Sequence, residues 1–117
     1  VDNATFASMY CNGQSCLAGT RLFLHDAIYD DFMERLVASM KRIKVAAPTE
    51  PYPLLGCLVS EKQGRRVQNY IEIGKSQARL VTGGSRVAVD GCGAGWFFEP
   101  TAGAVGDPLE RLREDAA

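Results

Sequence analysis

The chain has 117 residues, of which 46% are hydrophobic and 23% charged, so it has room for one domain of ordinary globular composition. Its formal net charge is −1 and its basic residues are scattered, which leaves no electrostatic footprint for nucleic acid or an anionic membrane. No apolar run approaches the roughly 20 residues that a membrane-spanning helix requires. Val1-Asp2-Asn3 has neither a basic start nor an apolar stretch, so it does not read as a signal peptide. With no initiator Met, the chain reads as processed, cut from something longer, or recorded only in part.

Ala4 to Tyr10 reads as a short helix, capped by Asp2 or Asn3 and stopped near Gly13. Residues 13–19, bounded by Gly13 and Gly19, form a loop that can bring backbone close to a ligand, and Thr20 to His25 follows as a strand. Asp26 is expected to cap the next helix, over 27–43. There Ile28, Phe32, Leu36, Met40 and Ile43 recur at three- and four-residue steps and lay one apolar stripe on a sheet. Residues 46–58 hold three of the five prolines and make a long irregular connection. Ser60 and Gln63 fit a capping box for a second helix over 61–74, ending near Gly74. Ala78 to Thr82 reads as a strand, Gly83-Gly84 as a turn, 90–95 as a glycine-rich loop, and Trp96 to Glu99 as a strand ended by Pro100. From Asp107 the chain reads as a weak helix or frayed end. This order of elements predicts an α/β layer rather than a helical bundle.

Four cysteines, Cys11, Cys16, Cys57 and Cys92, contain no C-x-x-C pair, and His25 is the one histidine, so no structural metal site is expected. A two-disulfide framework competes with free thiols. The clear helical patterns need no covalent staples, which favours free thiols in a reducing cytoplasm. Cys16 stands out because its loop is flanked by glycines, giving a substrate access to a thiolate and neighbouring N–H groups access to a developing oxyanion. From spacing alone the commoner reading is a small buried hydrophobe.

The stretch from Tyr10 to Arg21, Tyr-Cys-Asn-Gly-Gln-Ser-Cys-Leu-Ala-Gly-Thr-Arg, resembles the active-site signature of the aldehyde dehydrogenase superfamily, Gly-Gln/Glu-x-Cys-x-x-Gly-[Thr/Ser]-Arg. The resemblance continues through Leu22 to His25, Ile28 to Phe32, Leu58-Val59-Ser60, Tyr70-Ile71, Gly74-Lys75, Leu80 to Gly84 and Phe98 to Thr101, in order, over about residues 4–101. It implies that Cys16 is the nucleophile: its thiolate attacks an aldehyde, hydride passes to NAD or NADP, and water hydrolyses the resulting thioester. It also implies that the general-base glutamate, the oxyanion-holding asparagine and the dinucleotide-binding domain precede the part of the family represented by residues 1–117. Downstream the family has Glu-Glu-x-Phe-Gly-Pro, whose second glutamate contacts the nicotinamide ribose. Only Asp115 occupies that position, with no Phe-Gly-Pro after it.

The remaining candidates are read as follows. Cys11 stands where the family often has asparagine and is expected as a helix-buried thiol, a redox partnership with Cys16 being the alternative. Cys57 is expected to be structural, Cys92 exposed, Arg21 an anchor of the loop, His25 a satisfied surface or interface residue, and Gln14 a lining residue without chemistry. Gly83 and Gly84 lack the spacing of a phosphate cradle. The expected fold is thus a portion of the aldehyde dehydrogenase catalytic domain over residues 1–117, an α/β arrangement with a mostly parallel sheet and packed helices. The expected partners are a small-molecule aldehyde and other copies of the chain, with no nucleic acid and no membrane. The alternative to a complete oxidoreductase is a non-catalytic remnant or partner-binding module with residual thiol esterase activity.

Overall fold

The computed structural model describes residues 1–51 and 55–106. The first helix, α1 (Asp2–Met9), starts two residues before the sequence pattern suggests. Its N-cap is Val1, which offers no side-chain acceptor, and Asp2 lies in the first turn, where an acidic group favours the helix dipole. The second helix, α2 (Asp26–Lys41), is capped by His25 rather than Asp26. His25 adopts the extended backbone of a cap, and its Nδ1 accepts the Ala27 N–H at 3.1 Å, while Asp26 takes the first helical position. The apolar stripe of α2 is buried toward its C-terminal half: Leu36 and Met40 are core residues, whereas Ile28 is exposed. Thr5 of α1 donates to the Ser39 hydroxyl of α2 at 3.1 Å, which satisfies the two buried hydroxyls where the helices meet.

The third helix, α3 (Glu61–Gln77), begins as expected, with the Ser60 hydroxyl accepting the Gln63 N–H at 3.2 Å. It runs three residues past Gly74, because Gly74 keeps a right-handed backbone and its carbonyl accepts the Ala78 N–H at 2.8 Å. The buried start of this helix is shaped by Gly64, which lies against the indole of Trp96, so that a Cβ there would collide with the ring. The Arg86 guanidinium sits 3.7 Å from the centroid of the same ring, a cation–π contact.

Four short strands follow. β1 (Arg79–Thr82) pairs antiparallel with β4 (Ala102–Ala104), with a bulge between Leu80 and Thr82, and β2 (Arg86–Val87) pairs antiparallel with β3 (Phe97–Phe98). This departs from the mostly parallel sheet expected. The connection from β2 to β3 is shorter than the dozen or more residues that a parallel crossover needs, and β1 meets β4 across that β2–β3 pair in the antiparallel sense. Among the described residues the one parallel pairing is the isolated bridge between Val45 and Leu55. The strand expected over 20–25 finds no partner among the described residues, and Leu22 and Phe23 within it are exposed. The Gly83-Gly84 turn is present, with both residues at positive φ. The core gathers Leu36 and Met40 of α2, Ala46, Leu55, Phe97 and Phe98. The stretch from Asp107 onward lies outside the described residues.

The two helical glycines of α3 should respond in opposite directions to the same substitution. Gly74→Ala meets no atom within 4 Å and is expected to raise stability by about 0.5–1 kcal/mol, the usual helix-propensity gain. Gly64→Ala must displace the Trp96 ring and is expected to lower stability by about 1–2 kcal/mol despite that gain. Urea unfolding of the two variants against the parent measures both. A stabilised Gly64→Ala would mean that the indole is not held against α3.

Candidate functional site

Helix α1 stops because the backbone turns out of it at Tyr10 (φ −52°, ψ 137°) and then reverses hand. Cys11 (φ 51°), Asn12 (φ 60°) and Gly13 (φ 70°) are three consecutive left-handed residues. Glycine adopts this region freely and asparagine tolerates it, but for Cys11 it costs about 1–2 kcal/mol. The turn persists because its side chains bind a remote segment. The Asn12 Oδ1 accepts the Gly56 N–H at 2.8 Å, and its Nδ2 donates to the Cys57 carbonyl at 3.2 Å. The Gln14 Oε1 accepts the Val59 N–H at 3.1 Å.

Immediately beyond, Ser15 to Ala18 forms a β-turn closed by the Ala18 N–H to the Ser15 carbonyl at 3.1 Å. The Ser15 hydroxyl braces it by accepting the Leu17 N–H at 3.2 Å. Cys16 occupies the second position of this turn, its side chain is exposed, and its N–H meets no acceptor among the described residues. The loop leaves through the Gly19 N–H, which donates to the Ala7 carbonyl of α1 at 2.9 Å. The loop is therefore tied at its entry to residues 56–59 and at its exit to α1, with the thiol at the free corner between.

A cleft of about 720 Å³ lies behind the loop, walled by Asn12 and Gln14, by Leu58, and by Val67 and Tyr70 of α3. Cys16 is not among its lining residues. Among the described residues no cluster of His, Cys, Asp and Glu could hold a metal ion.

The other sequence candidates are distributed as follows. Cys11 is exposed and not helix-buried, because α1 ends before it. Cys57 is half-buried at the segment that Asn12 grips, and Cys92 is half-buried rather than fully exposed. Arg21 is exposed and makes no side-chain hydrogen bond or ion pair among the described residues, so the anchoring falls instead to Asn12 and Gln14. His25 is a helix cap remote in role from the thiol. Asp115 lies outside the described residues. Gly84 directs its N–H to the Thr101 hydroxyl at 2.9 Å, and a Cβ on Gly83 would collide with the Pro100 carbonyl. Asn12 is a site residue outside the sequence candidates, although the Asn-Gly dipeptide is itself a signal for a left-handed turn.

Comparison with known proteins adds a second line of observation. The model of the aldehyde dehydrogenase family matches residues 1–114. A betaine aldehyde dehydrogenase of Mesorhizobium japonicum is 38% identical over 98% of this chain. The structure of gamma-glutamyl-gamma-aminobutyraldehyde dehydrogenase from Burkholderia cenocepacia aligns with a TM-score of 0.82 at 40% identity, covering 87% of this chain. That of 1-pyrroline-5-carboxylate dehydrogenase from Thermus with bound NAD aligns with a TM-score of 0.78 at 37% identity over the same share. The chain spans 24% of the length of the Mesorhizobium relative and 20% and 19% of the two solved chains.

Under native conditions iodoacetamide is expected to label the exposed Cys16 and Cys11 ahead of the half-buried Cys57 and Cys92, as read by peptide mass spectrometry. Equal rates at all four thiols would remove the distinction that the exposed turn confers.

Proposed function

This chain belongs to the aldehyde dehydrogenase family, and on that footing we propose that Cys16 is the nucleophile of an oxidoreductase converting an aldehyde to a carboxylic acid with NAD or NADP. The described residues take the fold of a part of these enzymes. The observation that carries the proposal is the exposed Cys16 thiol at the corner of a braced β-turn, within the segment that resembles the family's nucleophile signature. Because the chain spans about a quarter or less of its relatives, the whole reaction is assigned to the complete enzyme.

The step these residues supply is carbonyl addition. The Cys16 thiolate gives an electron pair to the aldehyde carbon, a C–S bond forms, and the carbonyl π pair moves to oxygen. The unengaged Cys16 N–H is a donor available to that oxyanion. No general base is assigned here, since His25 uses its Nδ1 to cap α2.

Among the described residues the Gly83-Gly84 turn offers the nicotinamide cofactor no phosphate site. The Gly83-Gly84 turn is filled by the Pro100 carbonyl, and its Gly84 N–H is committed to Thr101, which leaves no cradle for a phosphate. NAD is bound in the Thermus relative, and in this protein its binding is assigned to residues beyond those described. No step through the cofactor is derived from these residues.

The four cysteines are unpaired among the described residues, which suits the cytoplasm as the compartment. We infer further that the chain taken by itself associates with other copies through apolar surface that the rest of the family fold would cover, such as Leu22 (47% exposed) and Phe23 (61% exposed) in the 20–25 segment. Phe23→Lys is expected to shift the chain toward monomer in analytical ultracentrifugation, and an unchanged distribution would dismiss this interface.

The proposal is tested in the complete enzyme by aldehyde-dependent NADH or NADPH formation. Cys16→Ala is expected to lower the rate by about a thousandfold or more, and a parental rate would exclude Cys16 as nucleophile. The exposure of the thiol favours one further reading, cofactor-free hydrolysis of activated esters. If ester cleavage depends on Cys16 while the complete protein reduces no NAD or NADP, that reading replaces the first.

A further inference from the structure

Asn12 stands four residues before the thiol, yet its carboxamide is spent on backbone 44 and 45 residues away. It behaves there as an inserted peptide group, accepting from one residue of the 56–57 segment and donating to the next. Both bonds are part-buried, and they are made from a left-handed backbone that asparagine tolerates better than other non-glycine residues. Gln14 adds a third bond of the same kind, one residue before the turn that carries Cys16. Left-handed backbone at non-glycine positions is kept only where surrounding contacts over-determine it, and here the over-determining contacts come from these two side chains.

We propose that Asn12 is a positioning residue for Cys16: its carboxamide fixes the left-handed turn against residues 56–57, and so fixes where the Ser15–Ala18 turn holds the thiol. This rests on the reading of Cys16 as nucleophile. Besides the two part-buried Asn12 bonds, the entry side is held by the exposed bond from the Val59 N–H to Gln14 Oε1. The bonds inside the loop, Gln14 N–H to the Cys11 carbonyl and Ala18 N–H to the Ser15 carbonyl, shape it locally but do not attach it to the rest of the protein. The attachment on the exit side, through Gly19 to α1, lies beyond the thiol. Without Asn12 the entry side keeps only the exposed bond between Gln14 Oε1 and the Val59 N–H, and the thiol is held less firmly. An aldehyde would still bind in whatever pocket the complete enzyme provides, but the sulfur would meet the carbonyl less often in line.

The consequence is a loss in kcat rather than in binding. Asn12→Gly keeps the left-handed freedom and removes the carboxamide. In the complete enzyme it is expected to lower kcat about 10- to 100-fold with KM within about threefold of the parent, the cost of misplacing a reacting group by around 1 Å. Turnover is counted per folded molecule, so that a merely unstable variant, whose folded fraction falls while each folded molecule turns over normally, shows no change. Asn12→Asp keeps the bond from Gly56 and loses the donor to Cys57. It is expected to show the same kcat-only loss in smaller measure, and it decides the question if Asn12→Gly does not fold at the assay temperature. A parental kcat per folded molecule in the informative variant, or a change confined to KM, would overturn the proposal. Cys16→Ala, run alongside, separates the two readings. If it abolishes turnover while the Asn12 variants do not lower it, the positioning role fails alone; if Cys16→Ala turns over normally, the nucleophile itself is wrong.

Discussion

Five consecutive residues without regular structure, 55 to 59, hold the described parts together. Leu55 bridges to the exit of α2, donating to the Lys44 carbonyl and accepting from Ala46. Gly56 and Cys57 take the two ends of the Asn12 carboxamide, the Leu58 N–H donates to the Trp96 carbonyl at 2.8 Å, and the Val59 N–H reaches Gln14. Backbone polar groups in a partly buried segment must all find partners. Here the partners come from three regions, so this one short stretch fixes the relative position of α2, the thiol loop and the strand that leads into the Phe97-Phe98 core.

Trp96 extends that constraint toward α3. Its carbonyl holds Leu58, while its ring lies on Gly64 and under Arg86, so the helix can approach only because position 64 has no side chain. The loop bearing Cys16 is thus placed by a relay of backbone bonds and one glycine contact rather than by a large core. Few apolar side chains are fully buried among the described residues, and Phe6, Leu17, Phe23 and Val59 are among those left exposed. Such a surface is what a segment of a larger family fold presents when viewed by itself.

What the sequence made legible was local. The three- and four-residue recurrence from Ile28 to Met40 marked α2, and Ser60 with Gln63 marked the start of α3, because each signal lies within a few residues of its effect. The cap of α2 lies one residue before the aspartate that the pattern favours, because a histidine nitrogen takes the place of the usual oxygen acceptor. The 20–25 segment has strand composition but no partner among the described residues, and pairing is a property of two segments. β2 and β4 are two and three residues long, too short to carry a period. At the site, the motif around Cys16 singled out the thiol but not its support, since the bonds from Asn12 and Gln14 land 44 to 45 residues downstream, where no spacing rule reaches.

That separation along the chain has a kinetic meaning. The helices draw on neighbours three and four residues apart and can form early, whereas the Asn12 clamp must close a span of 44 residues before it returns any interaction. The Val45–Leu55 bridge shortens the search, because it delivers Gly56 to a fixed place beside the end of α2. The entry side of the thiol loop is therefore expected to order after the helices. In a newly made chain the Cys16 loop is expected to be tied first at its exit, through Gly19 to α1, and to gain its entry-side clamp only when residues 56–57 arrive.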